Sequence, residues 1–314
     1  MEIKRLFAWA IIALPLLAAC DDDDKVTTDD GGGNSVEVSM KSLAGEWVLT
    51  LPDYSETEER TLAIKTDGSF VMENTFSYDD NGQKIINSQF RIEGKFKLSD
   101  KNLIGQVTQA KQRFSNWQDM HYVGMTDWED WEEYEFADTA QVSLLKNGTI
   151  LLIKSVYRDP YSPELPPQTT CSFYFKKGAA LTSDISALQG TWFWWDETRF
   201  TGTDEKAVRV AVKFDGDNID LIVVPWSQRF ICKYEYKDGV VTSKGEVTFR
   251  TLWEECGSNP MNFSNPYDSE WLPSYDPVQY QGNLVDGFSF PIIADGNTAY
   301  SEFLGLSPIY EKQK

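Results

Sequence analysis

Histidine is almost missing from this chain: His121 is the only one in 314 residues. A nucleophilic triad or a common zinc site draws on at least one well-placed imidazole with partners, and a solitary His121 in an acidic, aromatic stretch reads first as an exposed polar residue. Cysteine is scarce too, four in all, with no pair at metal-ligand spacing, and the chain has no glycine-rich phosphate loop. Basic residues are outnumbered, 29 against 49 acidic, for a net charge of −20. Such a surface makes nucleic acid and anionic lipid headgroups poor partners. Carboxylates abound, but a glycosidase needs two of them held across a cleft, and the spaced loop of an EF-hand does not occur. These absences lead us to expect no catalytic residues, no metal and no cofactor. No segment shows sustained helical spacing either, which points away from a helical fold.

What is present starts at the N-terminus. Lys4 and Arg5 precede an apolar run, Leu6 to Ala19, that ends in small residues. That order is the order of a secretory signal, and the run is shorter than the roughly 20 residues a membrane-spanning helix needs. Leu17-Ala18-Ala19-Cys20 resembles a lipobox, which implies a signal peptide over 1–19, cleavage before Cys20 and acylation of that cysteine. Acyl chains contribute about 0.8 kcal/mol per buried CH₂, so such an anchor is effectively permanent. Residues 20–37, with Asp21 to Asp24 and Gly31 to Gly33, read as a lipidated, flexible tether. Acidic residues directly after the acylated cysteine resemble the surface-export signal of Bacteroides-type lipoproteins. This implies attachment to the outer membrane with the cell surface as the exposed side, a periplasm-facing anchor being the alternative. Asp21 to Lys25 also resembles an enteropeptidase tag, a reading that an intact lipobox directly upstream disfavours. After cleavage Cys171, Cys232 and Cys256 remain; an odd number cannot all pair internally, and their pairing stays open.

The chain repeats itself. Leu43-Ala44-Gly45-Glu46-Trp47 recurs as Leu188-Gln189-Gly190-Thr191-Trp192, and Ala63 to Gly68 recurs as Ala211 to Gly216 with the same Asp-Gly turn. Gly94 to Asp100 resembles Cys232 to Asp238, Val142 to Gly148 resembles Phe290 to Gly296, and Ser172 to Lys176 matches Pro308 to Lys312 in closing each copy. Alternation of apolar and polar residues between turn signals predicts strands. In the first half they fall near 46–51, 60–66, 69–78, 86–98, 102–114, 133–146, 149–158 and 170–176. In the second they fall near 191–197, 207–214, 218–224, 228–237, 240–254, 284–293, 298–304 and 308–312. Roughly eight antiparallel strands in sequential hairpins close into an up-and-down barrel, which removes exposed sheet edges. The expected fold is therefore all-β, with one barrel over 38–180 and a second over 181–314.

Gly45-x-Trp47 and Gly190-x-Trp192 on the first strands, each followed by this meander, resemble the lipocalin-like domains of Bacteroides-type lipoproteins. The resemblance spans nearly all of the mature chain on short motifs, and implies that Trp47 and Trp192 plug one end of each barrel. The arginine that lipocalins set against that tryptophan from the last strand has no counterpart here, only Lys176, Lys177 and Lys312. No C-terminal helix is apparent either.

Phe114 to Leu145 contains no Lys or Arg. Within it Trp117, His121, Tyr122, Trp128, Trp131, Tyr134 and Phe136 are interleaved with carboxylates, Glu133, Glu135 and Asp138 among them. The matching excursion of the second half, Glu254 to Asn283, carries Tyr267, Trp271 and Tyr275 among prolines and asparagines. Both read as loops at a barrel mouth, where binding residues concentrate. They form aromatic lids for a glycan or a small amphiphile on one reading, and plain caps on the barrel end or packing between the domains on the other. Asp138-Thr139-Ala140 also resembles a short acceptor for protein O-glycosylation. The sequence thus predicts a non-catalytic, lipid-anchored binding or interaction module. Its alternative is an accessory subunit of an envelope complex with a protein partner; a carboxylate-based hydrolase ranks last.

Overall fold

The computed structural model describes residues 37–52, 56–99, 102–132, 134, 139–157, 168–180, 184–196, 207–254, 257–258, 261–273, 284, 287–303 and 308–313. The signal peptide, Cys20 and nearly all of the tether lie outside these described residues, as do Glu133, Glu135, Phe136, Asp138, Cys256 and Tyr275.

The described chain is all-β. A short helix α1 (Met40–Leu43) leads into β1 (Gly45–Pro52), β2 (Thr57–Ile64), β3 (Ser69–Asp80), β4 (Gln83–Ser99) and β5 (Asn102–Gln118). These are followed by β6 (His121–Met125), β7 (Glu129–Asp130), β8 (Thr139–Leu145), β9 (Ile150–Tyr157) and β10 (Gln168–Lys176). The second half holds β11 (Gly190–Asp196), β12 (Ala207–Asp215), β13 (Asn218–Val223), β14 (Gln228–Lys237) and β15 (Val240–Thr251). It ends with β16 (Trp253–Glu254), β17 (Gly257–Ser258), β18 (Leu272–Pro273), β19 (Ser289–Asp295), β20 (Thr298–Ser301) and β21 (Ile309–Lys312).

In the second half eight strands pair antiparallel in the order β11-β12-β13-β14-β15-β19-β20-β21, and β21 returns to β11 at Lys312↔Trp192. The result is a closed barrel. Its inward residues, among them Val212, Leu221, Phe230, Val241, Phe290, Ile292 and Tyr310, form one fully buried cluster.

The first half repeats the sequence of pairings as β1-β2-β3-β4-β5-β8-β9-β10, and its last join, like that of β21 to β11, is two register pairs long. β10 meets β1 only at Lys176↔Trp47 and Phe175↔Val48, while β1 continues along β2 to Pro52. Past Val48 the two strands share no register pair, and this sheet does not close along its full height.

The second half occupies that opening. Lys176 lies over Trp47 on the inner side, so alternation turns Cys171, Phe173 and Phe175 outward. They are buried nonetheless, in a cluster with Leu152, Ile293 and Tyr300. The Phe175 ring rests on Gly239 in the β14–β15 turn, where a Cβ would come within 2.4 Å of it. Lys154 Nζ stands 5.1 Å over the Tyr300 ring. At the open seam Arg60 donates from Nε to Glu58 Oε1 at 2.7 Å and from Nη1 to Glu302 Oε2 at 2.5 Å. All three are buried. Burial works against the Arg60 charge, yet Glu302 and Glu58 hold its pKa above the ordinary value. Burial pushes both carboxyls up, and Arg60 offsets only part of that rise.

Candidate functional site

One end of each unit is sealed by the same device. Ser39 caps α1 by accepting from the Ser42 amide, and Asp184 caps the single 3₁₀ turn Ile185–Leu188 by accepting from the Ser186 amide. Each turn ends on a leucine whose carbonyl accepts the tryptophan indole N–H: Trp47 to Leu43 at 2.8 Å and Trp192 to Leu188 at 2.6 Å. Lysines cover the rings, Lys176 Nζ at 5.7 Å from Trp47 and Lys312 Nζ at 5.1 Å from Trp192. These capped turns escape a search for helical periodicity because they are one turn long. The signal that could have found them is the capping serine or aspartate set a few residues before each Gly-x-Trp.

The opposite ends differ. In the second unit the described interior residues form one buried cluster, with Trp194 and Trp226 partly buried against it. In the first, Phe70 and Phe96 stack at 3.9 Å across the interior. Gly94 makes room for them: a Cβ there would lie 2.8 Å from the Phe70 ring and 2.2 Å from the Gln106 carbonyl oxygen. Beyond this plug the packing loosens. Register partners share a face in an antiparallel ladder, so Arg60↔Asn74↔Phe90 and Phe76↔Ser88↔Phe114 all point the way Met72 and Ile92 do, inward. Phe76 and Phe90 meet edge-on at 6.0 Å, Phe90 and Phe114 at 6.1 Å, and Trp131 tilts onto Phe90 at 4.9 Å. Tyr134 meets Trp131 at 6.3 Å. This chain of rings is half-buried, with Phe114 41% and Tyr134 37% exposed.

Among these rings stands Asn74, whose buried Oδ1 accepts no hydrogen bond from any described residue. The site is thus an aromatic rim over a polar layer, Asn74 with Arg60 and Glu58, set at the end away from Trp47.

The aromatic residues predicted as lids scatter to three places. Trp131 and Tyr134 belong to the rim. β7 pairs with β5 at Lys111 and Gln112, and the Trp131 amide donates to the Ala110 carbonyl, which turns the Trp131 ring inward. Trp117, His121 and Tyr122 lie instead on a hairpin. β5 runs past Phe114, its last pair with β4, to Gln118 and returns as β6 through a turn at Asp119 and Met120, both left-handed at φ 48° and 64°. The first excursion is a strand extension rather than a loop. Trp117 and Tyr122 touch edge-on at 5.6 Å on one face of the ribbon, and Met120 at its tip is 91% exposed. Trp128 is covered by the Arg113 guanidinium at 4.4 Å.

Residues 261–273 of the second excursion take neither form. Met261, Tyr267 and Trp271 pack on the outer face of β11–β13 with Phe193, Ala211 and Ile222. The Tyr267 hydroxyl donates to the Asp220 carbonyl at 2.6 Å, and the Trp271 indole donates to the Pro266 carbonyl at 2.9 Å. Burial raises the Tyr267 pKa well above the ordinary phenol value. Tyr267 and Trp271 therefore serve as packing of the second unit, while Tyr275 lies outside the described residues. The composition of the two segments was alike; which edge or face each would find was not written in it.

Among the described residues no group of three His, Cys, Asp or Glu is placed to hold a metal ion. No described helix is long and apolar enough to cross a membrane. No protein-family model matches the chain, and no curated protein shows significant similarity to it.

Proposed function

We propose that this protein is a non-catalytic binding module, an exported lipoprotein held by acylated Cys20 on the outer membrane, whose first unit receives an amphiphile at its aromatic rim. The observation that carries this reading is the row of half-buried rings in the first unit, Phe76, Phe90, Phe114, Trp131 and Tyr134. Both units are plugged by Trp and Lys at one end; away from that plug the first presents a string of half-buried rings, and the described part of the second has Trp194 and Trp226 partly buried against its core. Apolar concave surface with a few convergent polar groups is the usual character of a small-molecule site, and rings held loosely at a rim are surface still available for burial. On this reading both units are lipocalin-like barrels of one duplicated design. Lys176 and Lys312 take the place over the tryptophan that an arginine takes in lipocalins.

Titration of tryptophan fluorescence against panels of amphiphiles and glycans tests the proposal. The expected result is saturable quenching or a blue shift with amphiphiles. Trp131→Ala should weaken it by about tenfold or more, the loss of one well-packed ring being worth over 1 kcal/mol. Silence across both panels would remove the proposal. The accessory-subunit reading draws on a different observation, the ribbon bearing Trp117, Met120, Tyr122 and Val123, the last half exposed. Exposed apolar residues grouped on a projecting element mark protein contacts as often as ligand sites. Crosslinking in the native membrane tests that reading, with a constant protein partner as the expected product.

A further inference from the structure

Resting on the amphiphile reading, we infer that the ligand of the first unit enters with an uncharged hydrogen-bond donor foremost, received by Asn74 Oδ1, and that anionic headgroups are rejected. The structure holds two observations behind this. Asn74 sits on β3 between Met72 and Phe76, opposite Phe90 on β4 and Arg60 on β2. Its Oδ1 is shut off from solvent yet accepts nothing from the described residues. A buried amide acceptor without a donor is costly to maintain, and a ligand hydroxyl arriving along Phe76, Phe90 and Trp131 would satisfy it.

The second observation decides the charge. A carboxylate or phosphate headgroup needs a cation, and the described cation in register with Asn74 is Arg60. Its guanidinium is already spent: two hydrogen bonds go to Glu58, at 2.7 and 3.2 Å, and one goes to Glu302 at 2.5 Å. An incoming anion would find two buried carboxyls around one guanidinium, and repulsion in a poorly hydrated site is strong. Long-chain alcohols and the glycerol end of monoacylglycerols have the required chemistry; fatty-acid anions do not.

The test compares three probes of matched size, 1-decanol, decanoate and decane, by competition or calorimetry on the full chain. Wild type should prefer decanol over decanoate by at least about tenfold, one charge-sized discrimination. Asn74→Leu should weaken decanol about fivefold to tenfold, the net worth of one hydrogen bond, and leave decane unchanged or tighter. Asn74→Asp, which keeps an acceptor at the same position, should retain decanol and exclude decanoate further; it also guards against a leucine variant that fails to fold. If wild type binds none of the three, the amphiphile reading itself has failed. If it binds decanol and decanoate equally, or Asn74→Leu leaves the preference intact, the reading stands and the role given to Asn74 is wrong.

Discussion

Trp47 and Trp192 show how much one residue can fix. Each is wholly buried, gives its indole N–H to a leucine carbonyl in the capped turn before its strand, and lies under a lysine. Replacing either by alanine opens a large cavity and leaves a buried carbonyl without its donor, a loss of about 3–5 kcal/mol. Trp192→Phe keeps most of the volume and forfeits the hydrogen bond, and should cost about 1–2 kcal/mol. Urea denaturation reads both. A Trp192→Phe variant as stable as wild type would mean the indole N–H contributes nothing. These tryptophans were legible in the sequence because Gly-x-Trp occurs twice at equivalent places. Asn74 was not, since an asparagine in a strand gives no sign of which face it takes or whether its amide finds a partner.

At the level of elements, the alternation of side chains set most strands to within a few residues. The hairpins closed by Asp-Gly and Asn-Gly lay where those dipeptides stand, as at Asn81-Gly82 with both residues left-handed. β5 and its return were misjudged. Residues 115–125 lack a glycine at the turn itself, and the left-handed pair Asp119-Met120 takes its place. A methionine at φ 64° is held there against its preference, by about 1–2 kcal/mol. Met120→Gly should therefore stabilise the protein by up to about 1 kcal/mol in the same denaturation experiment. If the ribbon tip docks to an envelope partner, that substitution should also reduce crosslinking. A destabilised Met120→Gly would show that Met120 packs against something the exposed turn does not reveal. β6 and β7 escaped notice for a simpler reason: they are strands of five and two residues, too short to carry a period.

For the whole molecule, the join between the two units is the feature that periodicity had no means of disclosing. Glu58, Arg60 and Glu302 are ordinary charged letters in strand contexts, and only the splayed seam between β1 and β10 makes them a buried triad. Glu302 and Glu58 have pKa values raised by burial. A carboxyl whose folded pKa exceeds its unfolded value keeps its proton in the folded state while the unfolded chain has already released it. Its contribution is therefore fully present below the ordinary glutamate value of 4.5 and is lost as pH rises through the folded value. Relative to wild type, Glu302→Gln should show a stability curve that falls less over that window. Glu302→Ala should lose about 3 kcal/mol or more at acid and neutral pH alike, because the buried Arg60 loses one of its carboxyl partners. Gly239→Val, which drives a side chain into the Phe175 ring, should loosen the same interface and split the thermal transition in two. A single transition at the wild-type temperature would mean the units do not pack through Phe175.

The aromatic rim of the first unit is what the functional reading stands on, and binding stoichiometry measures it directly. Calorimetric titration of the full chain with 1-decanol should give one site per chain, weakened by Trp131→Ala and indifferent to Trp271→Phe on the outer face of the second unit. No heat of binding, or two equivalent sites, would contradict it.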